Sequence, residues 1–290
     1  MILKSNKMKK IIGIGEILWD LLPEGKQPGG APGNFAYHAM QLGFESYAIS
    51  AIGNDDLGDE IAGFLKSKNL KTILNRVDFP TGVVEVTLNS GGIPSYNICE
   101  NVAWDNIPFT HEMENVAKET NAVCFGTLAM RNSVSHKSIN DFIDLVPASS
   151  YKIFDINLRQ HYYTKELIEN CLCKCNIFKI NDDEIRVLMN IFSHETNEKS
   201  FCAHLIEKYN LNILILTKGE NGSVIISKNG EISEKPTPKV EVVDTVGAGD
   251  AFTAAFIGSI MNGGSIFEAH TKAVEVSAFV CSRKGAMPDY

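Results

Sequence analysis

The chain has 290 residues, of which 44% are hydrophobic, enough for one large α/β domain or two smaller ones. Its 27 basic and 35 acidic residues give a formal net charge of -8, the wrong sign for a protein that binds nucleic acid through the phosphates. No apolar run approaches the roughly 20 residues that a bilayer-spanning helix needs, so no membrane partner is expected. Composition and charge favour a protein that binds a small molecule.

The cysteines indicate the compartment. Seven cysteines in a chain without a recognisable secretion signal predict reduced thiols and a cytoplasmic location. Cys171, Cys173 and Cys175 alternate along the chain, but zinc sites usually combine a C-x-x-C pair with a second pair or with histidines. We interpret these three as small apolar side chains and expect no metal there.

A strand and a hairpin are predicted in the first third of the chain. The apolar run Ile11–Ile14 predicts a strand, and Val83–Leu88 and Ser95–Ile98 predict two more, joined by the turn sequence Asn89–Gly92. No helical pattern separates the last two strands. The hairpin is expected to form a small lid or an edge for contact in a homodimer.

Apolar runs then alternate with helical patterns. The predicted strands are Ala122–Phe125, Ile153–Ile156, Ile177–Ile180 and Ile213–Leu216. The predicted helices are Ser133–Leu145, Lys165–Cys173, Asp183–Ile191 and Lys199–Tyr209. This alternation predicts a mainly parallel sheet with helices on both faces, whose ligands bind near the carboxyl ends of the strands.

A glycine turn follows. Residues Val240–Phe252 predict an apolar strand, a turn and a helix that continues to about Met261. Gly247 and Gly249 let the backbone aim several N–H groups at one point, where the helix dipole also favours negative charge. Such a site suits phosphoryl transfer, in which three oxygens carry charge. Asp250 after the turn is either an N-cap of the helix or, ionised at pH 7, a base for a hydroxyl proton.

Two other nucleotide-binding patterns are excluded. The turn lacks the lysine and spacing of a Walker A loop. Gly13–Gly15 is not a dinucleotide fingerprint, because Leu18 stands where a third glycine is needed and no helical pattern follows. Hydride transfer is therefore not expected.

Two motifs resemble those of one enzyme family. Asp244–Phe252 (DTVGAGDAF) resembles the carboxyl-terminal signature of the ribokinase-like, or PfkB, carbohydrate kinases. Gly29–Asn34 (GGAPGN), followed by Ala36 and Leu42–Gly43, resembles the family's other signature, and Ile52–Gly58 (IGNDDLG) its usual continuation. The resemblance extends over nearly the whole chain.

The resemblance implies the fold. A ribokinase-like α/β domain, with a doubly wound and mainly parallel sheet flanked by helices, would span residues 1–290 as a single kinase domain. A small β lid would come from segments around 15–30 and 71–100.

It also implies a sugar site near the amino terminus. Asp20 is at a position similar to the family's acceptor for sugar hydroxyls, where a carboxylate can accept two hydrogen bonds. Gly29 and Gly30 would let the backbone approach the sugar, and Asn34 would hydrogen-bond to it. The alternatives are a capping aspartate for Asp20 and an ordinary turn for the glycines.

A third site residue comes from Phe154–Arg159, which resembles the D-P-N-x-R stretch of fructokinases and 2-keto-3-deoxygluconate kinases, with Ile156 in place of the proline. Arg159 would face the substrate or the phosphates. The alternative is a surface ion pair.

The nucleotide site is expected on two later motifs. Asn181 and Glu184 match the family's N-x-x-E element, which implies that Glu184 helps to hold Mg²⁺ and its waters near the phosphates of ATP. Thr217, Gly219 and Gly222 lie in a stretch that resembles the loop over those phosphates. The alternatives are acidic residues that favour a helix start and a plain turn between strands.

The implied mechanism is phosphoryl transfer from ATP. Asp250 would take the proton of a primary sugar hydroxyl, while Mg²⁺ and the N–H groups of Gly247, Ala248 and Gly249 stabilise the γ-phosphoryl group. Several family members also use a monovalent cation near this turn, and Asp244 is where a K⁺ site is expected.

The substrate is expected to be a small sugar. Gly15–Glu16, Gly29–Asn34 and Asn157–Arg159 resemble fructokinases most closely, and Glu100–Asp105 resembles bacterial members of that group, although Trp104 alone is typical of a core. Fructose is therefore expected, with 2-keto-3-deoxygluconate, another sugar or a nucleoside as alternatives. A relative that binds sugar without catalysis also stays open.

Overall fold

Two β-sheets organise the part of the chain that the structure describes, which is residues 8–22, 25–88, 94–194 and 197–290 of a computed structural model. The strands are β1 Lys10–Ile14, β2 Leu18–Leu22, β3 Gly25–Gly29, β4 Glu45–Gly53, β5 Lys71–Val77, β6 Gly82–Leu88, β7 Pro94–Ile98, β8 Ala122–Phe125, β9 Tyr151–Asp155, β10 Ile177–Asn181, β11 Ile213–Thr217, β12 Ser223–Ser227 and β13 Ile232–Lys235. The helices are α1 Ala31–Gln41, α2 Asp56–Ser67, α3 His111–Glu119, α4 Ser133–Leu145, α5 Lys165–Lys174, α6 Asp182–Ile191, α7 Glu198–Tyr209, α8 Ala248–Met261 and α9 Ile266–Cys281.

The large sheet is doubly wound. Its strand order is β13-β12-β11-β10-β9-β8-β1-β4-β5, and every pair from β11 to β5 is parallel. The order reverses at β1, which pairs with β4 on one side and β8 on the other. Ligands of such sheets bind at this reversal, outside the carboxyl ends of the strands. The site is therefore expected above the ends of β1 and β8.

Helices cover both faces of this sheet. One face packs against α3 to α7 through apolar side chains such as Phe142 and Leu205. The other packs against α1, α8 and α9, with Phe35 and Phe256 in the core, and α2 joins this side through Ile61. This arrangement confirms the predicted sheet with helices on both faces. None of the helices in the described ranges is long and apolar enough to cross a bilayer.

The second sheet is small and has the order β3-β2-β6-β7. Its strands β6 and β7 pair antiparallel, as the hairpin prediction required, whereas the turn Asn89–Gly92 lies outside the described residues. Lys71–Val77 pairs with β4 in the large sheet, so the lid predicted around 71–100 begins only at β6. The lid function and the homodimer contact stay predictions.

One predicted element is wrong. Residues Val240–Val243 were expected to form a strand, but they form irregular backbone outside both sheets, with Val242 and Val243 about 60% exposed. The backbone N–H groups of Val243 and Asp244 both donate to the carbonyl of Cys281 instead of entering a strand ladder. Within the described residues the large sheet ends at β13, which pairs with β12, and the segment 240–243 does not extend it. Branched side chains favour a strand, but the contacts of the whole fold decide whether a strand forms.

Helix α1 lies unusually close to β1 at one glycine. A Cβ atom added to Gly13 would stand 2.0 Å from the carbonyl oxygen of Pro32, in the first turn of α1. Only glycine therefore allows this approach. The contact fixes the start of α1 directly above the carboxyl end of β1.

We expect Gly13→Ala to destabilise the protein by about 2 to 4 kcal/mol, because backbone of α1 must move to admit the methyl group. Chemical denaturation would measure the loss. Gly63→Ala is a matched control, since a Cβ atom there meets nothing within 4 Å in the middle of α2, and it should leave the protein equally or more stable. Equal stability of both variants would contradict the close contact.

Candidate active site

Helix α8 begins at the predicted glycine turn. Gly247 is its N-cap with φ 77°, a left-handed conformation that favours glycine, and a Cβ atom there would lie 2.7 Å from that of Ala286. The helix starts at Ala248, whose N–H group donates to the carbonyl of Thr245 at 3.3 Å, and its first turn lies against Lys179 of β10. The later N–H groups of a first helical turn have no partner within the helix, and such groups suit an anion.

Asp250 is not the N-cap of this helix. It is the third residue of α8, and no side chain caps the helix. Its Oδ2 atom accepts a hydrogen bond from Nδ2 of Asn34, at 2.8 Å. The alternative in which Asp250 only satisfies helix N–H groups is therefore wrong, and its carboxylate is turned toward α1.

Asn34 and the two glycines before it shape the neighbouring wall. Asn34 is buried, and within the described residues its Oδ1 atom has no hydrogen-bond partner. Gly30 has φ 115°, and a Cβ atom there would lie 2.3 Å from the carbonyl oxygen of Glu16. A Cβ atom on Gly29 would lie 2.5 Å from Oδ2 of Asp20. The glycines thus bring the start of α1 against both acidic residues.

Arg159 faces three carboxylates of this region. It is exposed on the loop after β9, and its positive charge acts on Glu16, Asp20 and Asp250. Asn157, just before it, has φ 43°, a conformation that few residues other than glycine adopt. The predicted residues Asp20, Asn34, Arg159 and Asp250 therefore share one site.

Glu16 is a site residue that the sequence motifs did not reveal as such. It is 3% exposed, and its Oε2 atom has no hydrogen-bond partner within the described residues. Glu16 lines a narrow cleft with Asp155 and Asp250. The signals available in the sequence were an acidic residue two positions after a buried strand and the resemblance of Gly15–Glu16 to fructokinases.

A buried ion pair between Lys179 and Asp155 lies below the glycine turn, and the sequence did not predict it. Nζ of Lys179 is 3.0 Å from Oδ2 and 3.1 Å from Oδ1 of Asp155. A Cβ atom on Gly249 would stand 3.1 Å from that Nζ atom. Lys179 interrupts the otherwise apolar sequence of β10, which is the signal that could have found it.

Burial makes the acids of this site hard to ionise. It raises the pKa of Asp250 to about 7, and the nearby Asp155 adds to the rise, while Lys179, Asn34 and Arg159 oppose it. Burial likewise raises the pKa of Glu16 to about 7. It also raises the pKa of Asp20, and the positive charge of Arg159 opposes that rise. Asp250 was expected to be ionised at pH 7, but it is protonated in an appreciable fraction of the molecules there.

The N-x-x-E element forms a capping box. Oδ1 of Asn181 accepts from the N–H groups of Asp183 and Glu184, and Oε2 of Glu184 accepts from that of Asn181. The other oxygen of Glu184 accepts from the N–H of Leu158 at 2.9 Å. Both oxygens therefore accept from backbone N–H groups, which fix the orientation of this carboxylate.

Thr217, Gly219 and Gly222 lie beside this capping box. Thr217 is aligned with Asn181 across the β10–β11 pair. Gly219 and Gly222 form the turn into β12, with φ 53° and 92°, and a Cβ atom on Gly222 would meet the carbonyl of Lys235 at 2.3 Å. The turn between strands that was considered as the alternative is present, at the carboxyl end of the sheet.

Asp244 ties two segments together before the glycine turn. Its Oδ1 atom accepts from the N–H of Val246, and its Oδ2 atom accepts from that of Gly285, each at 3.0 Å. The carboxylate thus links the segment before α8 to the one after α9.

Comparisons with known proteins agree with this geometry. Residues 24–290 match the family described as pfkB family carbohydrate kinase. A protein described as a sugar kinase from Pyrococcus horikoshii is 30% identical over 270 residues, or 87% of this chain and 82% of that protein. Its crystal structure has a TM-score of 0.81 and covers 96% of this chain and 94% of that one, at 28% identity.

Two further crystal structures share the fold. One, described as ribokinase II from Escherichia coli in complex with ATP and Mg²⁺, has a TM-score of 0.84 at 23% identity and covers 97% of this chain and 96% of that one. The other, a fructokinase from Vibrio cholerae with fructose, ADP and calcium bound, has a TM-score of 0.78 at 20% identity with the same coverage.

We expect Asp250→Asn to stabilise the unligated protein at pH 8 by about 1 to 3 kcal/mol, because the buried carboxylate must be ionised there. The folded-state pKa of Asp250 is raised to about 7, so the gain should be small at pH 4, grow toward pH 7 and stay constant above it. Denaturation curves at several pH values would measure it. A variant that is less stable than the wild type at pH 8 would contradict the raised pKa.

Proposed function

Because the chain belongs to the pfkB family of carbohydrate kinases, we propose that it transfers the γ-phosphoryl group of ATP to a primary hydroxyl of a neutral sugar, with fructose as the favoured substrate. The predicted family and the ribokinase-like fold are confirmed by the match over residues 24–290 and by the structural neighbours. The proposal adds the roles of the individual residues and the choice of sugar.

One observation carries the proposed mechanism. The carboxylate of Asp250 stands at the start of α8 beside the anion turn and has a pKa of about 7. A base with a pKa near the working pH combines a useful ionised fraction with a strong tendency to accept a proton. Asp250 takes the proton of the attacking hydroxyl while Asn34 holds the Oδ2 atom of its carboxylate.

The anion turn acts on the phosphoryl group. The N–H groups of Gly247, Ala248 and Gly249 and the α8 dipole stabilise negative charge on the transferring group. Arg159 faces the same space and adds an exposed positive charge. Positioning and electrostatic stabilisation account for most of the catalysis of phosphoryl transfer.

The acceptor sugar binds between α1 and the small sheet. Asp20 accepts hydrogen bonds from two sugar hydroxyls, and the unpaired Oδ1 atom of Asn34 accepts another. The backbone at Gly29 and Gly30 forms the adjoining wall. The small sheet covers this site as a lid, in one kinase domain that spans the chain.

Nucleotide and metal bind on the other side of the turn. Asn181, Thr217, Gly219 and Gly222 line the ATP site at the carboxyl ends of β10 and β11. Mg²⁺, which an Escherichia coli neighbour contains together with ATP, would be held through water by Glu184, and when bound it neutralises phosphate charge. We place the predicted K⁺ site near Asp244.

The charges near the sugar favour a neutral substrate. Three acids, Glu16, Asp20 and Asp250, line this region. Among the described residues, Arg159 is the one exposed cation that acts on all three. Arg131, whose side chain is 7% exposed, is occupied by a bidentate pair with Asp105. A sugar acid or a sugar phosphate would bring another negative charge into this acidic site. Fructose has no charge, which favours it over 2-keto-3-deoxygluconate.

We expect Asp250→Asn to lower kcat by about 10² to 10⁴, because the hydroxyl loses its proton acceptor. In the wild type, kcat/KM should fall as the pH falls through about 7, because protonated Asp250 cannot act as a base. Coupled measurement of ADP release would follow both effects. Asp59→Asn, a surface change on α2 where the side chain is 70% exposed, is the control and should be fully active. Wild-type turnover by Asp250→Asn would contradict the assignment.

The substrate proposal predicts an order of activity. In an ATP-consumption screen, fructose and other neutral sugars should be phosphorylated with higher kcat/KM than 2-keto-3-deoxygluconate or fructose 6-phosphate. Each unfavourable charge contact of about 1.4 kcal/mol should lower kcat/KM for the anionic sugar by about tenfold. Preference for an anionic sugar or for a nucleoside would overturn the choice of sugar. Sugar binding by calorimetry without turnover of any substrate would overturn the kinase proposal.

A further inference from the structure

We propose that Lys179 and Asp155 are positioning residues of this site: Lys179 keeps Asp250 available as a base and supplies positive charge below the anion turn, and Asp155 holds Lys179 in place. The inference rests on the proposed function and adds two residues to it. Asp155 is the aspartate of the stretch that resembles D-P-N-x-R, but the sequence analysis gave neither Asp155 nor Lys179 a role.

The two residues are neighbours at the carboxyl end of the sheet. Asp155 is the last residue of β9 and is aligned with Lys179 on β10, and their side chains are 6% and 10% exposed. The ammonium group contacts both carboxylate oxygens of Asp155. On its other side it lies against Gly249, where a Cβ atom would be 3.1 Å away. The cation is thus fixed between the sheet and the first turn of α8.

Stability alone gives a poor account of this pair. A buried ion pair is often no more stabilising than well-packed apolar residues of the same volume. The pair also places a cation at the positive end of α8, which is the unfavourable end for a cation. An anion bound at the turn would reverse that penalty. The arrangement therefore suits a protein whose working state holds phosphate above Lys179.

Lys179 is the buried cation in a cluster of acids. Burial alone would lower the pKa of Lys179. The negative charges of Asp155, Glu184 and Asp250 outweigh burial and raise this pKa above its ordinary value. The ammonium group is therefore charged throughout the neutral range. Its positive charge favours the ionised form of Asp250, and the negative charge of Asp155 disfavours it.

Other groups also face Asp250. They are Glu16 after β1, Asn34 on α1, Cys124 on β8 and Arg159 after β9. None of these contacts Lys179 by a hydrogen bond within the described residues, so all of them remain when the pair is changed. The effect of the pair on Asp250 can therefore be isolated.

The two partners should have opposite effects. Lys179→Met removes a positive charge, so the acid limb of the kcat/KM profile should move up by about one pH unit. Asp155→Asn removes a negative charge, so the limb should move down. Lys179→Arg keeps the charge and should keep the limb at its wild-type position. A pair that only stabilises the fold would lower the melting temperature and leave the limb unchanged in all three.

A double variant tests whether Lys179 supplies positive charge below the anion turn. Lys179→Met combined with Asp155→Asn removes both charges and leaves no unpaired buried ion, so it should fold. Its kcat at saturating sugar and optimal pH should stay at least tenfold below that of the wild type, because the cation below the turn is missing, while KM for the sugar changes little. Recovery of wild-type kcat by the double variant would overturn the proposal.

Surface variants provide the matched control. Lys174 and Asp144 form another lysine–aspartate pair, in which the side chains are 22% and 61% exposed. Lys174→Met and Asp144→Asn should leave both kcat and the acid limb unchanged. Equal shifts in these variants would show that the changes reflect net charge, which would overturn a role specific to Lys179.

A direct titration separates this inference from the proposed function. Carbon-13 NMR of the side-chain carboxyls in the unligated protein, with Asp250→Asn to identify the resonance, measures the titration of Asp250 without any turnover. If no sugar is phosphorylated, the proposed function fails, yet the resonance should still shift in opposite directions in Lys179→Met and Asp155→Asn. Shifts in one direction, or none, would overturn the inference whatever the activity.

Discussion

The hydrogen bond from Asn34 to Asp250 joins the starts of two helices whose residues lie 216 positions apart in the chain. It forms only because α1 approaches β1 at Gly13 and α8 packs on the same face of the sheet beside α1. Both helices then present their amino termini above the reversal of strand order at β1. The proposed sugar side, around Asn34, and the proposed phosphate side, around Gly247, meet at this contact. The rest of the site depends on it.

Electrostatic interactions determine how readily the acids around this contact ionise. Acidic side chains from the segment after β1, from β9 and from α8 converge on a poorly solvated cleft, and their mutual repulsion and burial disfavour ionisation. Helix termini and the cations Lys179 and Arg159 offset part of that cost. The protein therefore holds a destabilising cluster of acids at the place where the proposed mechanism requires a base, and perturbed acids are common at active sites. Binding of an anionic phosphate and of sugar hydroxyls would supply the missing partners.

Much of the fold was predictable because local patterns and tertiary packing agree. The buried strands β8 to β11 and helices α4 to α7 were predicted to within two residues at each end, since short apolar runs between amphipathic helices have few other solutions. Local patterns gave the wrong prediction for segments whose structure depends on their position relative to the sheet. The valines of 240–243 have strand-like side chains, but their segment lies outside both sheets and the N–H of Val243 donates to the carbonyl of Cys281 at the end of α9. Lys71–Val77 joined the large sheet because it pairs with β4. Such outcomes depend on which segments the tertiary structure brings to an edge of the sheet.

By itself the sequence determined the family, the glycine turn and the identity of the residues at the core of the proposed site, because these follow from motifs whose spacing is fixed by short-range geometry. Only the tertiary structure decided what those residues can do. It turned Asp250 away from a capping role and toward Asn34, used both oxygens of Glu184 on backbone, and brought Lys179 and Glu16 into the site. Desolvation and the sum of nearby charges set the protonation of a carboxyl, and both arise only when distant segments are packed together.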